Sequence, residues 1–166
     1  MGYEQALRRI KEAAETGATE LDLSDQGLTE LPPELFELKN LACLDLYYNQ
    51  LTRLPSEIIQ LKNLTWLTLW KNSLTSLPSE LFELKNLTKL YLNYNELVEL
   101  PSEIVHLPKL EYVGLDSNPL ISPPLEIAKQ NIHAIRAYFS DLKGGSRLLA
   151  EVKGIGQDLA HPLSAW

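Results

Sequence analysis

Cys43 and Asp45 stand two residues apart in LACLDLYYNQ, a thiol beside a carboxylate. An acidic neighbour raises a thiol pKa, and no histidine lies in the same or the next segment, so Cys43 is not expected to act as a nucleophile. His106, His133 and His161 are far apart, and neither HxxxH nor CxxC spacing occurs, so no metal site is expected. The glutamates of the recurring LPSE motif belong to turns and form no acid–base pair. Catalytic residues, metals and cofactors are therefore all expected to be absent, and the protein is read as a non-enzyme. What remains is LTWLTLWKNSLTSLP, residues 64–78, which interleaves Trp66 and Trp70 with leucines. Indoles bind other molecules by contact area and by π-faces, and that chemistry needs a surface to carry it.

The background is that of an ordinary soluble domain. The chain has 166 residues and a net charge of −7, which offers no basic stripe for nucleic acid. The single cysteine excludes an internal disulfide framework and points to a reducing compartment. The charged beginning MGYEQALRRIKEAAETG has no apolar signal region, and no stretch reaches membrane-spanning length. A cytoplasmic protein with neither a membrane nor a nucleic-acid partner is expected.

A period of 23 residues organises the chain. Leu21, Leu44, Leu67, Leu90 and Val113 form one column, and Leu23, Leu46, Leu69, Leu92 and Leu115 a second. Leu28, Leu51, Leu74, Leu97 and Leu120 follow, then Pro32, Pro55, Pro78, Pro101 and Pro124. Asn49, Asn72, Asn95 and Asn118 complete the pattern LxxLxLxxNxL, which is the leucine-rich repeat signature. Its LxL step has period two, so both leucines face one side of a short strand, and the units stack into a parallel sheet. The asparagines are placed to bond turn backbone, with stacked amides continuing from unit to unit. LPSE opens the convex side, with proline in a first helical turn and Ser and Glu as capping-type residues. The expected fold is an α/β solenoid, a leucine-rich repeat horseshoe with a parallel concave sheet and short helical or 3-10 convex segments.

End units need caps. Ala6, Leu7, Ile10, Ala13 and Ala14 suit an amphipathic helix over 1–18 that stops at Gly17, ahead of repeats over 19–123. A second capping helix is expected over 124–144, ending at Gly144–Gly145. A tail over 145–166 follows, with a short helix near 147–152. EQALRRIKEAAETGATELDLSDQGLTELPPEL, the LPxE repeat and NPLISPPLEIAKQNIHAIRAYF together resemble the leucine-rich repeat region of bacterial Roco proteins. The resemblance covers roughly residues 3–142. It implies a recognition or scaffolding role. The GTPase that usually follows in that family is not implied, because no GxxxxGK[ST] occurs.

Strand parity turns the residues between the leucines outward: Glu20, Asp22, Ser24; Cys43, Asp45, Tyr47; Trp66, Thr68, Trp70; Lys89, Tyr91, Asn93; and Tyr112, Gly114, Asp116. Five of these fifteen are Trp or Tyr in a chain that is 8% aromatic, where about one is expected. Strand propensity alone favours aromatic residues, but two tryptophans on one outward strand face leave an apolar patch that monomers rarely tolerate. A protein or peptide partner is thus expected on Tyr47, Tyr48, Trp66, Thr68, Trp70, Lys89, Tyr91, Asn93, Tyr94 and Tyr112, with Asp45 and Asp116 in an acidic rim. The constant framework under a variable Tyr/Trp-rich face also resembles a diversified or laboratory-selected binder. A competing surface is the column Phe36, Ile59, Phe82 and Val105, read either as thickening of the convex core or as a strip for weak self-association. The latter would make the chain a regulatory, self-associating module of Roco type.

Overall fold

The computed structural model describes residues 2–151, the side chains of 144–151 excepted. Helix α1 (Gly2–Thr16) leads into five three-residue strands: β1 (Glu20–Asp22), β2 (Cys43–Asp45), β3 (Trp66–Thr68), β4 (Lys89–Tyr91) and β5 (Tyr112–Gly114). They form one parallel sheet in sequence order. The register never slips: Leu21, Leu44, Leu67, Leu90 and Val113 are successive partners. Between strands the chain returns through 3-10 turns at Pro33–Glu37, Ser56–Gln60, Ser79–Glu83 and Ser102–His106. Helices α2 (Leu125–Ala128) and α3 (Ile132–Glu151) close the far end.

The core lies between sheet and convex turns. From the strand side it takes Leu23, Leu46, Leu69 and Leu92, and from the convex side Leu35, Ile58, Leu81 and Ile104, all fully buried. Each buried leucine contributes on the order of 2 kcal/mol by removal from water. Because a unit buries its leucines only against its neighbours, the caps are obligatory. α1 covers β1 with Ala6, Ile10 and Ala13, whereas Ala14 faces solvent. It stops as expected at Gly17, whose φ of +64° lets Ala18 N–H reach back to Ala13 O at 3.0 Å. At the other end Ala128, Ile132 and Ile135 are buried, and Arg136 Nη2 donates to Leu107 O at 2.9 Å.

Three local expectations are corrected. No side chain caps the 3-10 turns, because Ser56 and Ser79 hydroxyls turn to the adjacent Glu57 and Glu80 carboxylates instead. The prolines set the entry: Pro32, Pro55, Pro78 and Pro101 hold φ between −57° and −72°, and their carbonyls accept from the residue three further on. α3 does not stop at Gly144–Gly145 but runs through them to Glu151 as one helix, absorbing most of the short helix expected near 147–152. The remaining tail expected over 152–166 lies outside the described residues. Finally, the single capping helix expected over 124–144 is two, α2 and α3, parted at residues 129–131.

Each asparagine bridges two units through backbone. Asn72 Nδ2 donates to Leu46 O (2.9 Å) and Leu69 O (3.1 Å), while its Oδ1 accepts from Leu51 N–H (3.0 Å). Asn49, Asn95 and Asn118 repeat this geometry, so Leu46 O, Leu69 O and Leu92 O each accept from two successive asparagines. All four side chains are buried. Replacing Asn72 by Ala orphans Leu51 N–H and removes two further bonds. Unfolding stability is expected to fall by about 3 kcal/mol in denaturant titrations. Asn63→Ala, which loses one exposed bond to Lys39 O, is expected to cost less than about 1 kcal/mol.

Candidate functional site

The ladder of backbone bonds runs past the strands themselves. Tyr48 N–H reaches Trp70 O (2.9 Å) and Lys71 N–H reaches Asn93 O (3.0 Å), so outward alternation continues to the third position of each triplet. Beyond it the chain turns sharply at Asp25, Tyr48, Lys71, Tyr94 and Ser117, all left-handed with φ between 53° and 59°. For residues with a Cβ that conformation costs roughly 1–2 kcal/mol each. It stands directly before each position of the asparagine column (Gln26 in the first unit), whose bonds hold the turn.

Seven rings meet on this face. Tyr48 contacts Tyr47 (6.0 Å between centroids), Tyr47 contacts Trp70 (6.4 Å), and Trp70 contacts Tyr91 (6.4 Å) and Tyr94 (6.1 Å). Tyr91 in turn contacts Trp66 (5.7 Å) and Tyr112 (5.0 Å). They make one connected surface over β2 to β5. Tyr47, Tyr48, Tyr94 and Tyr112 are 37–55% exposed, while Trp66, Trp70 and Tyr91 are half-buried by their neighbours. Lys71 Nζ lies 5.6 Å from the Tyr48 ring centroid and 5.8 Å from that of Tyr94, a cation held between two π-faces. Lys89 is exposed beside Trp66 in the register.

Thr68 and Asn93, expected as direct contacts, are not available: they are 5% and 4% exposed. Thr68 stands between Trp66 and Trp70 in the chain and is the register partner of Tyr91, three much larger neighbours. Asn93 folds sideways into the room left by Gly114, its Cγ 2.9 Å from where a Cβ would stand. Its Oδ1 is buried there without a hydrogen-bond donor. The self-association strip is likewise broken, because Phe36 (4% exposed) and Phe82 (1%) are core residues. Only Val105 is exposed, and Ile59 is half-buried.

Carboxylates occupy the flank. Asp22 and Asp45 are register partners. Burial raises the Asp45 pKa, opposed by the Tyr47 N–H bond (2.9 Å), and the Asp22 charge raises it further; the net shift is upward. Burial also pushes Asp22 up, but hydrogen bonds from Ser24 and the Arg9 charge outweigh it and leave a lowered pKa. Asp116 is exposed at the other flank, where burial, then the charges of Tyr91 and Asp116, raise the Tyr112 pKa. The Cys43 thiol pKa is raised, by burial first and by the Glu20 charge second, against a hydrogen bond with Thr65 that lowers it. Among the described residues no group of three or more Cys, His, Asp or Glu side chains is placed to hold a metal ion. His161 lies outside them. No helix there is long and apolar enough to cross a membrane. The larger hollows lie away from the rings, the more apolar being a groove of about 410 Å³ along α3 that includes Ile127, Ala134, Tyr138 and Leu142.

A parallel sheet of five short strands, convex 3-10 turns and a buried asparagine per unit define a solenoid of leucine-rich repeats. The Leucine rich repeat family model matches residues 16–69 and 62–120, and the chain belongs to that family. A leucine-rich repeat protein of Leptospira interrogans is 40% identical over 70% of this chain and 36% of its own, with a TM-score of 0.59. An internalin of Listeria monocytogenes is 25% identical over 68% of this chain and 36% of its own, at 0.58. The ectodomain of the Arabidopsis thaliana receptor kinase GASSHO1/SCHENGEN3, solved in complex with Casparian strip integrity factor 2, is 36% identical over 61% of this chain and 13% of its own, at 0.56. The chain thus spans about a third of the first two proteins. No curated protein matches it. Leucine-rich repeat domains generally bind other proteins, and the family is typically non-enzymatic.

Asp45 supplies a test of this geometry. Its folded pKa is raised, so its favourable contribution is present below the ordinary carboxylate pKa and lost as pH rises through the folded value. Asp45→Asn keeps an acceptor for Tyr47 N–H and removes the charge. Its melting temperature is expected to exceed the parent's at pH 7, with the difference vanishing near pH 3.

Proposed function

We propose that the concave face binds a protein or peptide partner through Tyr47, Tyr48, Trp66, Trp70, Tyr91, Tyr94 and Tyr112, framed by Asp45, Lys89 and Asp116. The observation that carries this reading is the connected ring network, which holds seven of the chain's ten Tyr and Trp residues on one face. Such side chains gain contact area while freezing few rotors, and they dominate binding hot spots. The leucines on the other side of the sheet make the stability, so the outward rings are free to serve recognition.

The size of the platform selects the partner's shape. Five strands at about 4.8 Å spacing span roughly 20 Å, and an outward triplet is about 13 Å long. That is less than the ~800 Å² per side of a standard interface. The reading therefore favours an extended segment or protruding loop that also touches the rim at Tyr48, Lys71 and Tyr94. The resemblance of both ends to the Roco repeat region supports a scaffolding or recognition role inside a cell, with binding as the molecular act.

Trp66→Ala combined with Trp70→Ala tests the reading by affinity capture. Losing two central rings is expected to weaken partner capture by about 1,000-fold, at about 2 kcal/mol for each. Both indoles lie outside the leucine core, so the double variant is expected to stay folded with its sheet intact. Undiminished capture by a folded double variant would overturn the concave site.

A further inference from the structure

Thr68 is the centre of the outward grid. Along its own strand it is flanked at alternate positions by Trp66 and Trp70, about 7 Å away. Its lateral partners are Asp45 on β2 and Tyr91 on β4. Tyr91 contacts both indoles, so the buried threonine has connected rings as its neighbours on three sides. The fourth side is a carboxylate.

That carboxylate has unmet needs. Asp45 is half-buried and accepts one backbone bond, from Tyr47. The charge that acts on it is the like charge of Asp22. Among the described residues no cation of the chain is bonded to it. The face does have cations, but both are elsewhere: Lys71 is held between Tyr48 and Tyr94, and Lys89 stands beside Trp66 on the side away from β2. A partly desolvated anion diagonal to two indoles, with Tyr91 across Thr68 from it, is best completed by a cation brought in from outside.

On the reading of this face as a binding surface, we propose that Trp66, Trp70, Tyr91 and Asp45 together form a subsite for a guanidinium group, supplied by an arginine of the bound segment. Thr68 is buried among these neighbours, so the group lies on the rings. A planar guanidinium stacks on indole and phenol faces while its edge donates two parallel N–H bonds to a carboxylate. An ammonium forms the ion pair but cannot stack, and it gives up more hydration. The net charge of −7 draws a basic segment towards the molecule.

The test follows the indole N–H signals of Trp66 and Trp70 by NMR as N-acetyl-arginine amide is added. N-acetyl-citrulline amide, of the same shape without the charge, is the reference, and N-acetyl-lysine amide the competing cation. Arginine amide is expected to saturate the shifts of both indoles with a Kd roughly five-fold or more below that of citrulline amide, with lysine amide between them. In Asp45→Asn the ratio of arginine to citrulline is expected to fall at least two-fold, the remaining preference being that of the rings for a cation. Equal affinities in the parent, a tighter lysine, or a ratio untouched by Asp45→Asn would each overturn the guanidinium subsite while leaving the aromatic binding surface standing. Indole signals that do not move with arginine amide would overturn it as well. Failure of the binding surface itself shows separately, as undiminished capture by the Trp66→Ala, Trp70→Ala variant.

Discussion

A carboxamide has two N–H donors and an oxygen with two lone pairs, and the solenoid is built on that count. Asn49, Asn72, Asn95 and Asn118 each use both hydrogens on carbonyls of consecutive units, and each oxygen takes a turn N–H. The shared carbonyls at Leu46, Leu69 and Leu92 lock each unit to the next at a fixed offset. Parallel strands three residues long are too short to fix their own register. The amide ladder, with the leucine columns stacked beneath it, fixes it for them.

That register is also what makes the outward face a surface. Because every 23rd residue is a lateral neighbour, Trp66 and Tyr91, or Tyr47 and Trp70, are close in space although far apart in the chain. The leucines and asparagines determine where an outward side chain stands, and they leave its identity open. Aromatic rings over β2 to β5, carboxylates at both flanks and a lysine pinned between two rim tyrosines are a use of that freedom. The left-handed turns at Tyr48, Lys71 and Tyr94 present those three side chains at the rim, and the asparagine bonds beneath offset the strain.

Parity and period were readable directly from the residues. Two leucines at LxL spacing can share a face only on a strand, and five columns at one period can stack only as a solenoid. The ring patch followed from the same alternation. What escaped reading depended on the size of lateral neighbours. Thr68 is buried because Trp66, Trp70 and Tyr91 are large, and Asn93 because Gly114 is empty; comparing residue volumes across columns carries that signal. The phenyl rings of Phe36 and Phe82 reach back into the convex core where the shorter Val105 stays at the surface. Apart from Asp25, the left-handed turns had no signal in residue type, since Tyr, Lys and Ser do not favour that conformation. At Gly144–Gly145 the local rule for stopping a helix pointed to an end, yet α3 continues to Glu151.

The outward ring surface, and not the apolar groove along α3, is proposed to seat the partner. Hydroxyl-radical footprinting decides between them, using a complex with a peptide selected from a random extended library for binding to the protein. The account predicts protection of Trp66, Trp70 and Tyr91, with Tyr138 and Leu142 labelled as in the free protein. Protection of Tyr138 and Leu142 with undiminished labelling of the two indoles would contradict it.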